Sequence, residues 1–265
     1  MQELLAGGRR LECVWHGPGP AEAPTLVFLH EGLGSVSLWR DFPLRLAEAT
    51  GCGALVYSRA GYGRSDPAPL PWRPTYMHEE AAVLGEVLDL TGVRDAVLVG
   101  HSDGGSIAII HAGKDAKSRV RALVLLAPHV FVEEMGLRSI AAATEAFTGG
   151  DLRRRLERHH GANVDCAFWG WNRVWLDPAF RSWNIEEFLP RIQSPVLLIQ
   201  GEDDRYGTLR QLEAIANGCA GPVERLVLPG CAHSPHREQP ERTFEAAVAF
   251  LRRHGLTRAP RPTGP

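Results

Sequence analysis

Side chains that can together perform nucleophilic acyl chemistry lie in three separate stretches of this chain. Ser102 sits in "VLVGHSDGGSIAII" between Gly100 and Gly104, Asp203 and Asp204 in "LLIQGEDDRYG", and His233 and His236 in "LVLPGCAHSPHREQPE". A serine hydroxyl is a weak nucleophile: it needs a base to take its proton, and the base needs a carboxylate to orient it. The competing readings are a turn serine for Ser102, a helix N-cap for Asp204 and a buried, hydrogen-bonded ring for His233. Spacing alone leaves the choice within each pair open. The stretch "LVLLAPHVF" offers no carboxylate after its apolar run, which favours the later aspartates.

These residues must be positioned by regular elements. Short runs rich in Val and Leu recur at 25–30, 54–59, 96–101, 122–128, 195–201 and 224–230. Lacking polar alternation, they read as strands of a parallel sheet buried on both faces. "MHEEAAVLGEVLDLTG" reads as a helix stopped by Gly92, and a last helix opens at Pro240 and buries Phe244, Ala247, Val248 and Leu251. Strand–helix alternation predicts a doubly wound α/β domain whose ligands bind at the carboxyl ends of the strands. The rhythm breaks over 129–191, which carries helical patterning and four tryptophans and is expected to be an inserted cap between core segments 1–128 and 192–255. The tail, 256–265, is expected to be loose. Ser102 falls at the sharp turn between a strand and a helix. There, glycines on either side avoid collisions across a strained backbone, and the Asp103 amide opens the next helix, facing where an oxyanion would form.

In this setting the sequence resembles the α/β-hydrolase superfamily. "LHEGLGS", "GYGRSDP", "GHSDGG", "GEDDRYG" and "CAHSPHREQPE" follow in order between Leu26 and Leu251. The resemblance implies an α/β-hydrolase fold, with a mostly parallel central sheet flanked by helices and an inserted helical cap. It implies the chain order nucleophile, acid, base, with Asp204 as acid three residues after Gly201, and Asp203 as fallback. His233 is the implied base, although Ala232 stands where the pattern usually has Gly, and His236 is the lesser candidate. In "HEGLGS" the resemblance assigns the backbone N–H of Gly32 to an oxyanion hole with that of Asp103. Glu31 replaces the usual glycine, and its carboxylate is expected to turn away or to bond nearby backbone amides. "GHSDGG" with "RSWNIEEFLPRIQSPVLLIQGEDD" is similar to the biphenyl-hydrolase-like branch, which includes hydrolases of amino-acid esters. On that likeness the Asp103 side chain would attract a substrate ammonium group; the competing reading is a helix cap or a water ligand.

Trp169, Trp171 and Trp175, in "AFWGWNRVWLDPAFRSWN", are candidate walls of an apolar substrate pocket, with core packing as the competing role. His159 and His160 are expected on a solvated helix face, since no ligand spacing supports a metal. The implied activity is hydrolysis of a small carboxylic ester through an acyl-enzyme. Cleavage of a C–C bond in a ring-fission product and lactone opening are alternatives on the same machinery, and a ligand-binding protein on a hydrolase scaffold is an alternative of another class.

Bulk properties exclude several partners. The chain has 265 residues, 44% of them hydrophobic and 23% charged, with a formal charge of −2, so no basic excess exists to neutralise nucleic acid. Five scattered cysteines without C-x-x-C suggest neither a disulfide framework nor a zinc site, which fits a reducing cytoplasm. No apolar run is long enough to cross a bilayer. A small-molecule substrate, no cofactor, no metal and no membrane are expected, and a homo-oligomer is left open.

Overall fold

The computed structural model describes residues 2–258. The six apolar runs form the parallel strands β3 (Thr25–Leu29), β4 (Gly53–Tyr57), β5 (Ala96–His101), β6 (Val120–Leu126), β7 (Val196–Gly201) and β8 (Val223–Leu228). Two further strands precede them. β1 (Gln2–Ala6) and β2 (Arg9–His16) form an antiparallel hairpin turned by Gly7 and Gly8, both at positive φ as a tight hairpin requires. Antiparallel pairing of β2 with β4 then gives one sheet, in the order β1-β2-β4-β3-β5-β6-β7-β8.

Alternation along each strand divides the core. Val27, Leu29, Leu55, Leu98, Leu123 and Leu125 face one layer, with α2 (Tyr76–Thr91) and α3 (Asp103–Lys114). Leu26, Phe28, Val56, Val97, Val99 and Ile199 face the other, with α1 (Phe42–Thr50) and a long C-terminal helix, Pro240–Arg253. Both faces of β3 to β7 are thus dry along most of their length, which is why their sequences show no polar alternation, whereas β8, at the sheet edge, is only partly buried. Gly92 ends α2 in the left-handed conformation, and Pro240 occupies the first turn of the last helix.

Between β6 and β7 the chain inserts α4 (Glu134–Thr148), α5 (Leu152–His160) and α6 (Val164–Leu176). This cap is pinned to the core at the end of α5. The His160 ring accepts from the Gly63 N–H at 3.0 Å through Nδ1, which leaves Nε2–H to donate to the Leu33 carbonyl at 3.0 Å. Nearby, Asn163 donates to the Ser65 carbonyl at 2.7 Å. His160 therefore lies buried where the cap meets the core and not on a solvated face, and burial lowers its pKa. The chain continues through α7 (Arg210–Gly218), the short α8 (Pro235–Glu238) and the Pro240–Arg253 helix, numbered α9. Of the tail expected to be loose, Leu256 is buried and the Arg258 N–H donates to the Thr50 carbonyl, while 259–265 lie outside the described residues. No helix among the described residues is long and apolar enough to cross a membrane.

Candidate active site

Ser102 sits between the end of β5 and the start of α3 with φ 51° and ψ −119°, a backbone strained for any residue with a side chain. The flanking glycines permit it. A Cβ on Gly104 would lie 1.9 Å from the Leu29 carbonyl oxygen, and one on Gly100 would lie 2.5 Å from the Gly104 oxygen. The Ser102 carbonyl accepts from the N–H groups of Gly105 and Ser106. Because carbonyl and N–H point oppositely across a trans peptide, the Asp103 N–H points back out of the helix start. Among the described residues it has no protein acceptor.

The loop after β3 is fixed in the same manner. The Glu31 carbonyl accepts from His30 Nδ1 at 2.7 Å, from Arg59 Nη2 at 3.1 Å and from the Gly34 N–H at 3.0 Å. His30 Nε2 accepts from the Arg59 N–H, so this ring is the neutral Nδ1–H tautomer; burial, then the Arg59 charge, hold its pKa well below the usual value. With the carbonyl held from three sides, the N–H of the following Gly32 points the opposite way. Gly32 lines a cavity of 480 Å³ together with Ser102, Asp103 and His233. A Cβ at Gly32 would lie 2.2 Å from the Trp171 ring, so only glycine fits beneath the cap there.

Asp204 and His233 are brought together by the loops after β7 and β8. His233 Nδ1 lies 2.9 Å from each Asp204 carboxylate oxygen. Asp204 Oδ1 also accepts from the Tyr206 N–H at 2.8 Å, and Oδ2 from Gln200 Nε2 at 3.2 Å. Burial alone would raise the Asp204 pKa, but the His233 ring and the Tyr206 N–H outweigh it and lower the pKa. Donation from Nδ1 leaves the Nε2 lone pair of His233 available to accept a proton. The two alternatives are placed elsewhere: Asp203 is exposed, and His236 is buried against Trp39 with ring centroids 4.8 Å apart.

Glu31 lines the same cavity, and its carboxylate bonds none of the loop's amides but faces a partner that the sequence did not suggest. Its Oε2 lies 3.3 Å from Nδ1 of the fully buried His101, whose Nε2 lies 2.7 Å from the His233 carbonyl. Nε2–H donates to the His233 carbonyl, while Nδ1 stands close to the Glu31 carboxylate outside hydrogen-bond geometry and forms an ion pair with it when protonated. Burial would lower the His101 pKa, but the Glu31 carboxylate outweighs it and raises the pKa, and the same pair drives Glu31 well below the ordinary carboxylate range. His101 thereby ties the loop holding Gly32 to the loop holding His233.

With this geometry in view, relatives become informative. The sequence matches the alpha/beta hydrolase family over residues 26–246. The chain belongs to that family. It is 30% identical over 235 residues to a putative carbamate hydrolase, RutD, of Pseudomonas savastanoi pv. phaseolicola, covering 78% of this chain and 85% of that one. It is 27% identical over 252 residues to the carboxylesterase YbfK of Bacillus subtilis, covering 88% and 82%. Its fold superposes on the enol-lactonase of Burkholderia xenovorans LB400 with a TM-score of 0.75 at 19% identity, over 95% of this chain and all of that one. As a member of the alpha/beta hydrolase family, the protein is a hydrolase whose sheet and helical insertion, α4–α6, follow the family's architecture.

Two expectations for this hydrolase's pocket need correction. The Asp103 carboxylate is not presented to a substrate: it is fully buried and accepts from the Tyr76 hydroxyl at 2.5 Å, and that hydroxyl accepts from Trp175 Nε1 at 3.0 Å. Burial raises its pKa despite the nearby Arg59 charge. Trp171 and Trp175 do line the cavity, but Trp169 does not. It packs edge-on against Phe147 and Phe168, with the Arg173 guanidinium 4.8 Å above its ring. A helix presents neighbouring residues to different faces, so three tryptophans within seven positions of α6 cannot all point one way.

Sequence reading also missed His129 and Tyr206, which line the cavity beside His233. Their rings stand 5.7 Å and 4.6 Å from the His233 ring, and burial, then the His233 charge, push the His129 pKa down to about 4, so this neighbour stays neutral. His129 directly follows "LLAP" at the end of β6, at the carboxyl edge where ligands gather, and that position was the available signal.

Proposed function

We propose that the protein is a serine hydrolase that cleaves small carboxylic esters through an acyl-enzyme, with Ser102 as nucleophile, His233 as base and Asp204 as its orienting acid. The observation that carries this reading is His233, bonded to Asp204 behind it, lining one cavity with a serine held at φ 51°. His233 Nε2 takes the Ser102 proton as Oγ attacks the ester carbonyl. The tetrahedral oxyanion is held by the amides of Gly32 and Asp103, each such donor typically contributing about 3 kcal/mol in the transition state. His233 then returns its proton to the leaving alcohol, and water repeats the sequence to release the acid.

The carboxylesterase relative supports ester bonds as the substrate class. An amino-acid ester is less well supported, because the Asp103 carboxylate that would meet its ammonium group is committed to Tyr76. A panel of chromogenic acyl esters, amino-acid esters, lactones and a ring-fission diketone tests the reading, run beside Ser102→Ala. Acyl esters are expected to turn over in the native protein alone. Turnover that survives the substitution would remove Ser102 from the mechanism.

A further inference from the structure

The face that α5 turns toward the cavity is not what an apolar pocket calls for. Leu152, Arg155, Leu156 and His159 follow at helical spacing, with Arg158 beside them, and all five line the cavity. Arg237, on α8, lines it too. The arginines are exposed, so they stand where the cavity meets solvent, while Trp171 and Trp175, buried on α6 of the cap, form its interior wall.

Most acids near these arginines are already engaged. Asp151 pairs with Arg155 at 3.2 Å. Arg153 takes Asp165 at 2.6 Å and approaches Glu157 at 3.7 Å. Glu238, adjacent to Arg237 in sequence, uses both carboxylate oxygens to accept from the Ala232 and Ser234 amides at 2.7 and 2.9 Å. Among the described residues, Arg158 and Arg237 therefore form no ion pair. The two carboxylates in the cavity wall form no ion pair with these arginines, since Glu31 is paired with His101 and Asp103 is bonded to Tyr76. His159, held by Ser37 at 2.8 Å, has its pKa lowered by burial and then by Arg237, against an opposing effect of Glu31, with Arg158 and Arg40 adding to the lowering.

Resting on the esterase reading above, we infer that Arg158 and Arg237 form a specificity site for an anionic group, so that the preferred substrates are esters carrying a carboxylate at the end remote from the scissile bond. An arginine fork matches a carboxylate in shape and charge, and two unpaired forks at a cavity mouth favour an anion both in encounter and in the bound complex.

The test compares kcat/KM for matched pairs of esters. One series uses mono-4-nitrophenyl esters of succinic, glutaric, adipic and suberic acids against those of the monocarboxylic acids of equal chain length. A second places the carboxylate on the alcohol side. The native protein is expected to prefer the anionic member by roughly tenfold in at least one series, with the preference shrinking as salt rises. The ratio of anionic to neutral kcat/KM is expected to fall to about one in Arg158→Gln/Arg237→Gln and below one in Arg158→Glu/Arg237→Glu. Neutral-ester turnover by each variant reports that it is folded. A native preference for neutral esters in both series, or a ratio unmoved by either double substitution, overturns the inference and leaves the esterase reading standing. Turnover of no ester in either series overturns both.

Discussion

Replacing Glu31 by Gln keeps the shape of the side chain and removes its charge, leaving the buried His101 ring without its anionic neighbour at 3.3 Å. Removing one partner of a buried ion pair typically costs about 3–5 kcal/mol. The loss here should be smaller, because the Glu31 side chain keeps 16% of its surface exposed and the His101 ring can shed its proton. We expect about 2 kcal/mol near pH 6, a Tm loss of about 4–8 °C for a chain of this size. The signature is the pH dependence. Glu31 has a folded pKa below its unfolded value, so its contribution is present above about pH 4.3 and fades as pH falls. His101 has a folded pKa above its unfolded value, so its contribution is full below about pH 6.5 and fades as pH rises through the raised value. The stability gap between native protein and Glu31→Gln should therefore be widest between about pH 4.5 and 6.5 and narrow toward pH 9. The neighbouring His30 and His236 are held neutral by burial and do not close this window. Thermal melts followed by circular dichroism across this range give the answer. A gap that stays constant, or that widens at high pH, would refute the ion pair as the source of stability.

Gly104→Ala places a methyl 1.9 Å from the Leu29 carbonyl oxygen, a backbone atom that cannot rotate aside. It should cost about 3 kcal/mol or more in urea unfolding, and any protein that still folds should lose most ester turnover because the elbow has shifted. Trp169→Ala should lower stability by about 1–3 kcal/mol and leave acyl-chain preference unchanged, whereas Trp171→Phe, which reshapes the wall over Gly32, should shift that preference. A chain-length series of 4-nitrophenyl esters separates the two, and equal shifts in preference would show that Trp169 reaches the substrate.

Much of the fold was legible because burial on two faces writes an apolar pattern into β3 to β7, and because Gly92 and Pro240 mark helix ends by their backbone requirements. The β1–β2 hairpin was not read, although Gly7-Gly8 between two short segments is a hairpin signal; as an edge ribbon its strands lack the long apolar runs of the centre. At the site, residue types and order narrowed the acid and the base to two candidates each. The family resemblance chose Asp204 over Asp203, and the path of the loops gives the physical reason: Asp204 is bonded to His233 while Asp203 is exposed. Contacts between distant segments left no local trace: Tyr76 on Asp103, His101 between Glu31 and His233, and His160 of the cap on Gly63 each join residues at least 27 positions apart. Trp169 was misassigned because composition identifies an aromatic cluster but does not say which way each ring faces.

The central claim is that the Ser102 hydroxyl is an activated nucleophile, and reaction with a fluorophosphonate followed by peptide mass spectrometry tests it most directly. The account predicts a single covalent adduct on the peptide containing Ser102, formed much more slowly in His233→Ala and absent in Ser102→Ala. Folded native protein that takes up no label there, or that is labelled at another serine while Ser102 stays free, would contradict it.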